Sequence, residues 1–112
     1  MKIIKSNKFL NLVSWFFKVD GIALYPFVIV RPSVSAELIR HELIHLEQQK
    51  ELLVLPFYIL YVTEFLIKLV CYRNAYQAYR SISFERESYG NQKKIDYLTY
   101  RKRFAWLRYL WN

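Results

Sequence analysis

Glycine, proline and cysteine are scarce in this chain, which has two glycines, three prolines and one cysteine among its 112 residues. The lone Cys71 excludes an internal disulfide and fits a reducing compartment, and its apolar neighbours predict a buried, unreactive thiol. No glycine- or serine-rich linker, low-complexity tract or internal repeat divides the sequence. Because so short a chain leaves little room for a second core, we expect residues 1–112 to form a single domain.

Acidic side chains are also few, with nine of them against 17 lysines and arginines and a formal net charge of +8. This surplus favours contact with an anionic membrane surface, an acidic partner or a nucleic acid. Nucleic acid comes last, because no known binding module has a signature here. Lys18 and Asp20 cut short the apolar stretch of residues 9–17, which argues against a signal peptide. The expected location is therefore the cytoplasm, with association with an anionic membrane as the alternative.

Apolar and aromatic residues are abundant, at 54% and 19% of the chain, which argues against disorder. Residues 12–19 and 21–30 are rich in β-forming side chains and meet at Asp20-Gly21, which predicts a hairpin or small antiparallel sheet. Pro26 cannot donate to a ladder, so the second strand should lie at a sheet edge or bend there. The remaining segments have helical patterns, so we expect a mostly helical α+β fold.

Two long helices should follow the strands. Ser35 is suited to cap a helix that begins at Ala36 and runs to about Leu53. Pro56 then opens a second helix to Tyr72, which is apolar on nearly all sides. Such a helix is either central and buried or lipid-facing, because both environments exclude water.

The charges and caps downstream give further expectations. Glu64 and Lys68 stand four apart in the second helix and predict a surface ion pair if that helix faces water. Ser83 predicts the cap of a short helix that ends near Gly90. An apolar stripe predicts one amphipathic C-terminal helix, with Arg101 off the stripe. The stripe consists of Tyr97, Tyr100, Phe104, Leu107 and Trp111.

The chain has only two histidines, His41 and His45, and they stand four positions apart in the first predicted helix. They therefore project from one face, where both imidazoles can bind one metal ion, with Glu42 placed as a general base. Catalytic zinc takes three protein ligands, so a carboxylate must complete the set. Residues 83–89 are the richest candidate segment, and we expect Glu85 as the third ligand with Glu87 as the alternative.

The sequence resembles the gluzincins, the zincin branch that includes thermolysin and the CAAX prenyl endopeptidases, in its HExxH helix followed by a Glu on a later helix. It is also similar to small HExxH proteins of bacteria and phages. The shared motifs are a Gly-Ile-x-Leu-x-Pro-like strand, a Leu-Ile-Arg-His-Glu-Leu-Ile-His helix and a Phe-Glu-x-Glu-x-Tyr segment, between Gly21 and Tyr89. Many gluzincins carry an Asp four residues after the ligand Glu, where this chain has Tyr89. Glu37, Glu64, Glu87 or a backbone carbonyl could then supply the acceptor that orients the ligand histidines.

The resemblance implies a minimal zincin-like domain that hydrolyses peptide bonds in a peptide or protein substrate. One zinc ion per chain would be bound by His41, His45 and Glu85, with Glu42 as the general base. Residues 23–30 would bind extended substrate along the strand edge. Tyr89, Tyr79 or Arg80 would be the oxyanion donor. The alternatives are a non-catalytic module that a metal stabilises and a module that binds a membrane surface or an acidic partner.

Overall fold

The computed structural model describes residues 2–13 and 20–110. Over these ranges the chain is mostly helical with one three-stranded sheet, so the α+β expectation is confirmed. The strands are β1 (Lys2–Lys5), β2 (Gly21–Leu24) and β3 (Phe27–Val30). The helices are α1 (Asn7–Val13), α2 (Ala36–Leu52), α3 (Val54–Tyr72), α4 (Ala75–Ser81), α5 (Ser83–Asn91) and α6 (Tyr97–Tyr100), followed by a 3₁₀-helix at Ala105–Tyr109.

The sheet differs from the expected antiparallel one. Its strand order is β1-β3-β2, in which β2 and β3 form an antiparallel hairpin while β1 pairs with β3 in parallel. The hairpin turns at Tyr25-Pro26, which has a cis peptide bond, and not at Asp20-Gly21. Pro26 therefore lies outside the ladder that it cannot join. The predicted strand at 12–19 is wrong for residues 12 and 13, which end α1, and its other residues lie outside the described ranges.

One face of the sheet packs on α2. Ala23, Val28 and Val30 form a buried cluster with Leu46 of α2. These strand positions share one face because side chains alternate along a strand, and β2 and β3 are in register. As a result the edge strand β2 lies directly against α2.

Helix α2 has the expected cap and length. The Ser35 side chain accepts a hydrogen bond from the Leu38 N–H at 3.2 Å, and the helix ends at Leu52. Leu53 takes a positive φ of 65° and turns the chain into α3. Pro56 lies in the first turn of α3, where no intrahelical donor is needed.

Helix α3 is not a buried core helix, so that alternative is wrong. Phe57 is its one buried residue, and only 6% of its most apolar stretch is buried. By length and composition α3 could cross a membrane. Cys71 is exposed at its C-terminal end, which also corrects the expectation of a buried thiol.

Two polar expectations downstream are wrong as well. Ser83 is the first residue of α5 and not its cap, and it donates from N–H and Oγ to the Glu64 carboxylate at 2.8 and 2.7 Å. Glu64 thus turns inward from α3 to cap α5, where a carboxylate complements the helix dipole. The surface pair between Glu64 and Lys68 is absent among the ion pairs of the described residues.

The single amphipathic C-terminal helix is replaced by two short pieces. Helix α6 stops at Tyr100, because Arg101 turns into the core and Phe104 takes a positive φ of 57°. The Phe104 N–H donates to Glu51 at 2.6 Å, which holds this bend. Trp106, off the predicted stripe, is buried against Phe84, while most stripe residues that the structure describes are exposed. Trp111 lies outside the described ranges.

Candidate metal centre

His41, His45 and Glu85 converge in the interior of the described chain. His41 Nε2 and His45 Nε2 lie 3.2 Å apart, and each lies close to Glu85 Oε1, at 3.0 and 3.1 Å. Three ligands of a tetrahedral ion with bonds of 2.0 to 2.1 Å would be separated by about 3.3 Å. The three residues are 2–6% exposed, and together they form a group that could hold a metal ion.

The protonation of the two rings can be read from their amide partners. Gln48 donates from Nε2 to the Phe84 carbonyl at 3.1 Å and to Glu87 at 2.9 Å, so its Oε1 faces His45 Nδ1 at 2.8 Å. His45 Nδ1 must therefore carry the proton. In the neutral ring the lone pair is then on Nε2, the atom that points into the cluster.

His41 is held in the same way from the other side. Its Nδ1 lies 2.8 Å from Gln92 Oε1, and Arg40 fixes the Gln92 backbone by donating to its carbonyl at 2.7 Å. Two imidazole lone pairs and a carboxylate oxygen thus converge. Electron-rich atoms this close require a cation or a proton between them.

A proton competes for this position. Burial lowers the pKa of His45, but the adjacent Glu85 carboxylate outweighs burial and raises the pKa to about 9. Burial raises the pKa of Glu85, but the charge of His45 and hydrogen bonds from both imidazoles hold that pKa well below its usual range. A metal ion would therefore displace a proton from the cluster at neutral pH.

Helix α3 supplies the support for Glu85. The Tyr61 hydroxyl donates to Glu85 Oε2 at 2.6 Å, which leaves Oε1 directed at the two imidazoles. Phe57 lies beside His45 with ring centroids 6.4 Å apart. Both side chains come from the inner face of α3, so this helix forms one wall of the site.

Glu87, the alternative ligand, points away from the histidines. Its carboxylate accepts hydrogen bonds from Tyr97 at 2.7 Å, from Gln48, and from Arg101, which also pairs with Glu51 at 2.9 Å. The Arg101, Glu51 and Glu87 side chains are 0–9% exposed. Glu87 therefore supports Gln48, which in turn orients His45. Arg101 is a buried ion-pair partner of Glu87 and does not lie on an exposed helix face.

Glu42 lies between the cluster of His41, His45 and Glu85 and strand β2. A Cβ atom added at Gly21 would lie 3.2 Å from Glu42 Cγ and 3.2 Å from Val30 Cγ1, so the absence of a side chain there makes room for Glu42. Burial raises the pKa of Glu42, and the charges of His45 and His41 partly offset that rise. A carboxylate with a raised pKa is a better proton acceptor at neutral pH.

The edge of β2 is partly occupied. The Ala23 carbonyl accepts hydrogen bonds from Gln49 Nε2 at 2.8 Å and from the Tyr58 hydroxyl at 2.7 Å, while Gln49 Oε1 accepts from the Tyr25 N–H at 2.8 Å. The Gln49 amide thus pairs with β2 as a neighbouring strand would. Strand β3 is central, so the expected substrate edge at residues 23–30 is wrong for Phe27–Val30. The edge nearest Glu42 is at Gly21.

Two of the three candidate oxyanion donors form a pair near the site. The Tyr79 and Tyr89 hydroxyls are 2.7 Å apart, and the Tyr89 ring lies edge-on to His41 with centroids 4.4 Å apart. Burial, with the Glu85 charge second, raises the pKa of Tyr79, so its hydroxyl keeps its proton and remains a donor. Arg80 stacks over the outer side of Tyr89, at 3.8 Å from the ring centroid.

Gln48, Gln92 and Tyr61 are functional candidates that sequence reasoning missed. Only Gln48 had a local signal, because it follows His45 by three positions and so shares its helix face. The acceptors expected for the histidines, Glu37, Glu64 or Glu87, do not contact them in the described chain, where glutamine oxygens take that role.

Comparison with models of known protein families, with curated proteins and with solved structures finds no match for this chain.

Proposed function

We propose that this protein is a zinc-dependent peptide-bond hydrolase of the cytoplasm. The observation that carries the proposal is the convergence of His41 Nε2, His45 Nε2 and Glu85 Oε1, with both imidazole lone pairs directed inward by glutamine oxygens. Two nitrogen ligands and one carboxylate match the ligand set of catalytic zinc. Zinc held there would supply the Lewis acidity that activates water and polarises a substrate carbonyl.

The residues around the cluster have the chemistry that hydrolysis needs. Glu42 accepts a proton from the attacking water and returns it to the leaving amine, and burial favours this role by raising its pKa. Along β2, residues whose backbone groups bond to β3 alternate with residues whose backbone groups point away from it, and residues 21 and 23 are of the second kind. Gly21 therefore presents its N–H and carbonyl to an extended peptide. Tyr89, whose ring lies edge-on to His41 and whose hydroxyl is paired with Tyr79, is the candidate donor to the developing oxyanion.

A structural role for the metal is the second candidate, and the burial of all three ligands favours it. Structural zinc sites, however, are usually closed by four protein ligands. The cluster in the described chain has three. A set of three protein ligands with the adjacent Glu42 carboxylate favours catalysis.

Metal content tests the ligand set. Purified protein should contain about one zinc per chain, because one cluster provides one set of ligands. The variants His45→Ala and Glu85→Ala should lose the metal, whereas Glu47→Ala, which removes a carboxylate paired with Lys50 at the surface of α2, should keep it. Metal-free native protein, or equal zinc content in all variants, would contradict the proposal.

Glu42→Gln separates a catalyst from a metal-stabilised fold. It should keep zinc and thermal stability but cleave a peptide library roughly 100-fold more slowly or worse, with products read by mass spectrometry. Unchanged hydrolysis would remove Glu42 as the base. A wild-type protein that binds zinc, unfolds on chelation and cleaves nothing in the library would establish the structural alternative.

A further inference from the structure

The outward half of α3 is an apolar surface without a partner in the described chain. At about 100° per residue, its exposed positions from Leu55 to Cys71 fall within half of the helix circumference. We call them the outer face of α3: Leu55, Pro56, Ile59, Leu60, Val62, Thr63, Leu66, Ile67, Val70 and Cys71. None of these ten residues is charged, and Val70, Leu55 and Ile59 are 77%, 70% and 57% exposed. Soluble monomers rarely present a contiguous apolar surface of this extent to water.

The polar groups of α3 are arranged as a lipid environment requires. Thr63 is the one outer-face residue with a hydroxyl, and it donates to the Ile59 carbonyl within the same helix at 2.7 Å. Glu64 turns to the opposite side and binds Ser83. Lys68 also lies on that inner side and is half-buried. A polar group in contact with hydrocarbon is costly unless it is bonded within the protein.

The C-terminal end of α3 carries groups suited to lipid headgroups. Tyr72 and Tyr76 are 48% and 64% exposed, and together with Arg80 and Arg86 they line an open groove. Tyrosine is enriched at membrane interfaces, and guanidinium groups bind phosphate oxygens. The formal net charge of +8 adds a general attraction to anionic lipid.

We propose that the outer face of α3 inserts into the surface of an anionic bilayer, with the helix lying along the interface. A spanning orientation would carry the inner face of α3 into hydrocarbon. That face holds the Glu85 carboxylate through Tyr61 and the start of α5 through Glu64. The interfacial orientation keeps these polar contacts on the protein side while the opposite face contacts acyl chains.

Cys71 gives a direct test, because it is the only cysteine, is exposed and lies on the outer face. Full-length protein is incubated with vesicles of phosphatidylcholine and phosphatidylglycerol at 3:1 and treated with a charged maleimide. Labelling should slow by at least about tenfold, because a charged reagent does not enter hydrocarbon. In a Cys71→Ser/Ile95→Cys control, the thiol at the 84% exposed position of Ile95 should be labelled at the same rate with and without vesicles.

Vesicle flotation tests the same surface without a label. The double variant Ile59→Gln/Leu66→Gln should bind these vesicles at least about tenfold more weakly than the wild type. Two side chains would no longer contribute the favourable free energy of transfer from water into the bilayer. The matched variant Ile95→Gln/Leu107→Gln, which changes exposed apolar residues away from α3, should bind like the wild type. Circular dichroism and zinc content should be unchanged in both, which separates this test from that of the metal centre.

Two outcomes would overturn the proposal. Cys71 could be labelled equally fast with and without vesicles. Alternatively, protection of Cys71 could grow with protein concentration in the absence of lipid, with a dimer in light scattering that Ile59→Gln/Leu66→Gln dissociates. The second result would assign the outer face to another copy of this chain.

Discussion

The neighbouring helices α2 and α3 differ in the kind of side chain that they bury. Helix α2 buries His41, Glu42, His45, Gln48 and Gln49. Helix α3, with 19 residues against 17, buries little beyond Phe57 and exposes leucine, isoleucine and valine. Buried polar residues and exposed apolar residues both cost free energy in water. The buried polar side chains of α2 mark a place that is suited to bind a cation. The exposed apolar side chains of α3 mark a surface that is suited to bind a bilayer.

The two helices are also joined at the site. The inner face of α3 contributes Tyr61 to Glu85 and Phe57 to His45, while its outer face is exposed in the described part of the chain. Thus one helix separates the candidate metal centre from the proposed membrane surface. A peptide substrate held at that surface would lie near the proposed hydrolytic site.

The largest expected effect comes from removing the positive charge of Arg101, which is buried next to α2. Arg101→Met leaves the buried carboxylates of Glu51 and Glu87 without their partner, which should lower the free energy of unfolding by about 3–5 kcal/mol. Urea denaturation measures this. The exposed Arg103 provides the control, since Arg103→Met should change stability by less than about 0.5 kcal/mol. Equal losses would show that Arg101 contributes only as a surface charge.

The pH dependence of the chelator-treated protein comes next. His45 has a pKa raised from 6.5 to about 9 in the fold, so its ion pair with Glu85 stabilises the fold fully below pH 6.5 and is lost as pH rises through about 9. Across that window the free energy of unfolding should fall by up to about 1.4 kcal/mol per pH unit. Urea titrations at several pH values measure the slope.

His45→Gln provides the reference for this experiment, because it removes the titrating group. The difference between the two slopes isolates His45 from the tyrosines and lysines. A wild-type slope no steeper than that of the variant would mean that His45 keeps an ordinary pKa in the fold.

Removing the support that α3 gives to the candidate metal ligand Glu85 should have a smaller effect. Tyr61→Phe removes the hydroxyl that holds Glu85 Oε2 and should weaken zinc binding roughly tenfold, measured by competition with a chelating dye. Tyr58→Phe is the matched change on the same side of α3, since its hydroxyl binds the Ala23 carbonyl and not the cluster. If both variants bound zinc equally well, Tyr61 would have no role in positioning Glu85.

The smallest effect concerns the charge that α3 turns inward. Glu64→Gln weakens the cap of α5 and should destabilise the fold by about 1 kcal/mol in urea denaturation. Lys68→Gln should have an effect below about 0.5 kcal/mol. Equal losses in the two variants would instead favour a Glu64–Lys68 pair.

In α2, expectations based on neighbours within the helix agreed with the structure, whereas the expected Ser83 cap of α5 did not form. Ser35 caps α2, and His41 and His45 share a face, because capping and the spacing of four residues are fixed by helix geometry. The short apolar segments at the N-terminus were harder to assign. Residues 12 and 13 end a helix, and β1 joins the sheet in parallel, which no local turn signal indicates.

The sequence by itself determined that a capped helix presents two imidazoles and a glutamate on one chain segment, that the fold is mostly helical, and that α3 is apolar. Only the tertiary structure decided that Glu85 meets the histidines while Glu87 meets Arg101, and that α3 turns most of its apolar side chains outward. The reason is sequence separation. Pairings 40 residues apart, such as His45 with Glu85, follow from how whole helices pack and not from any local rule.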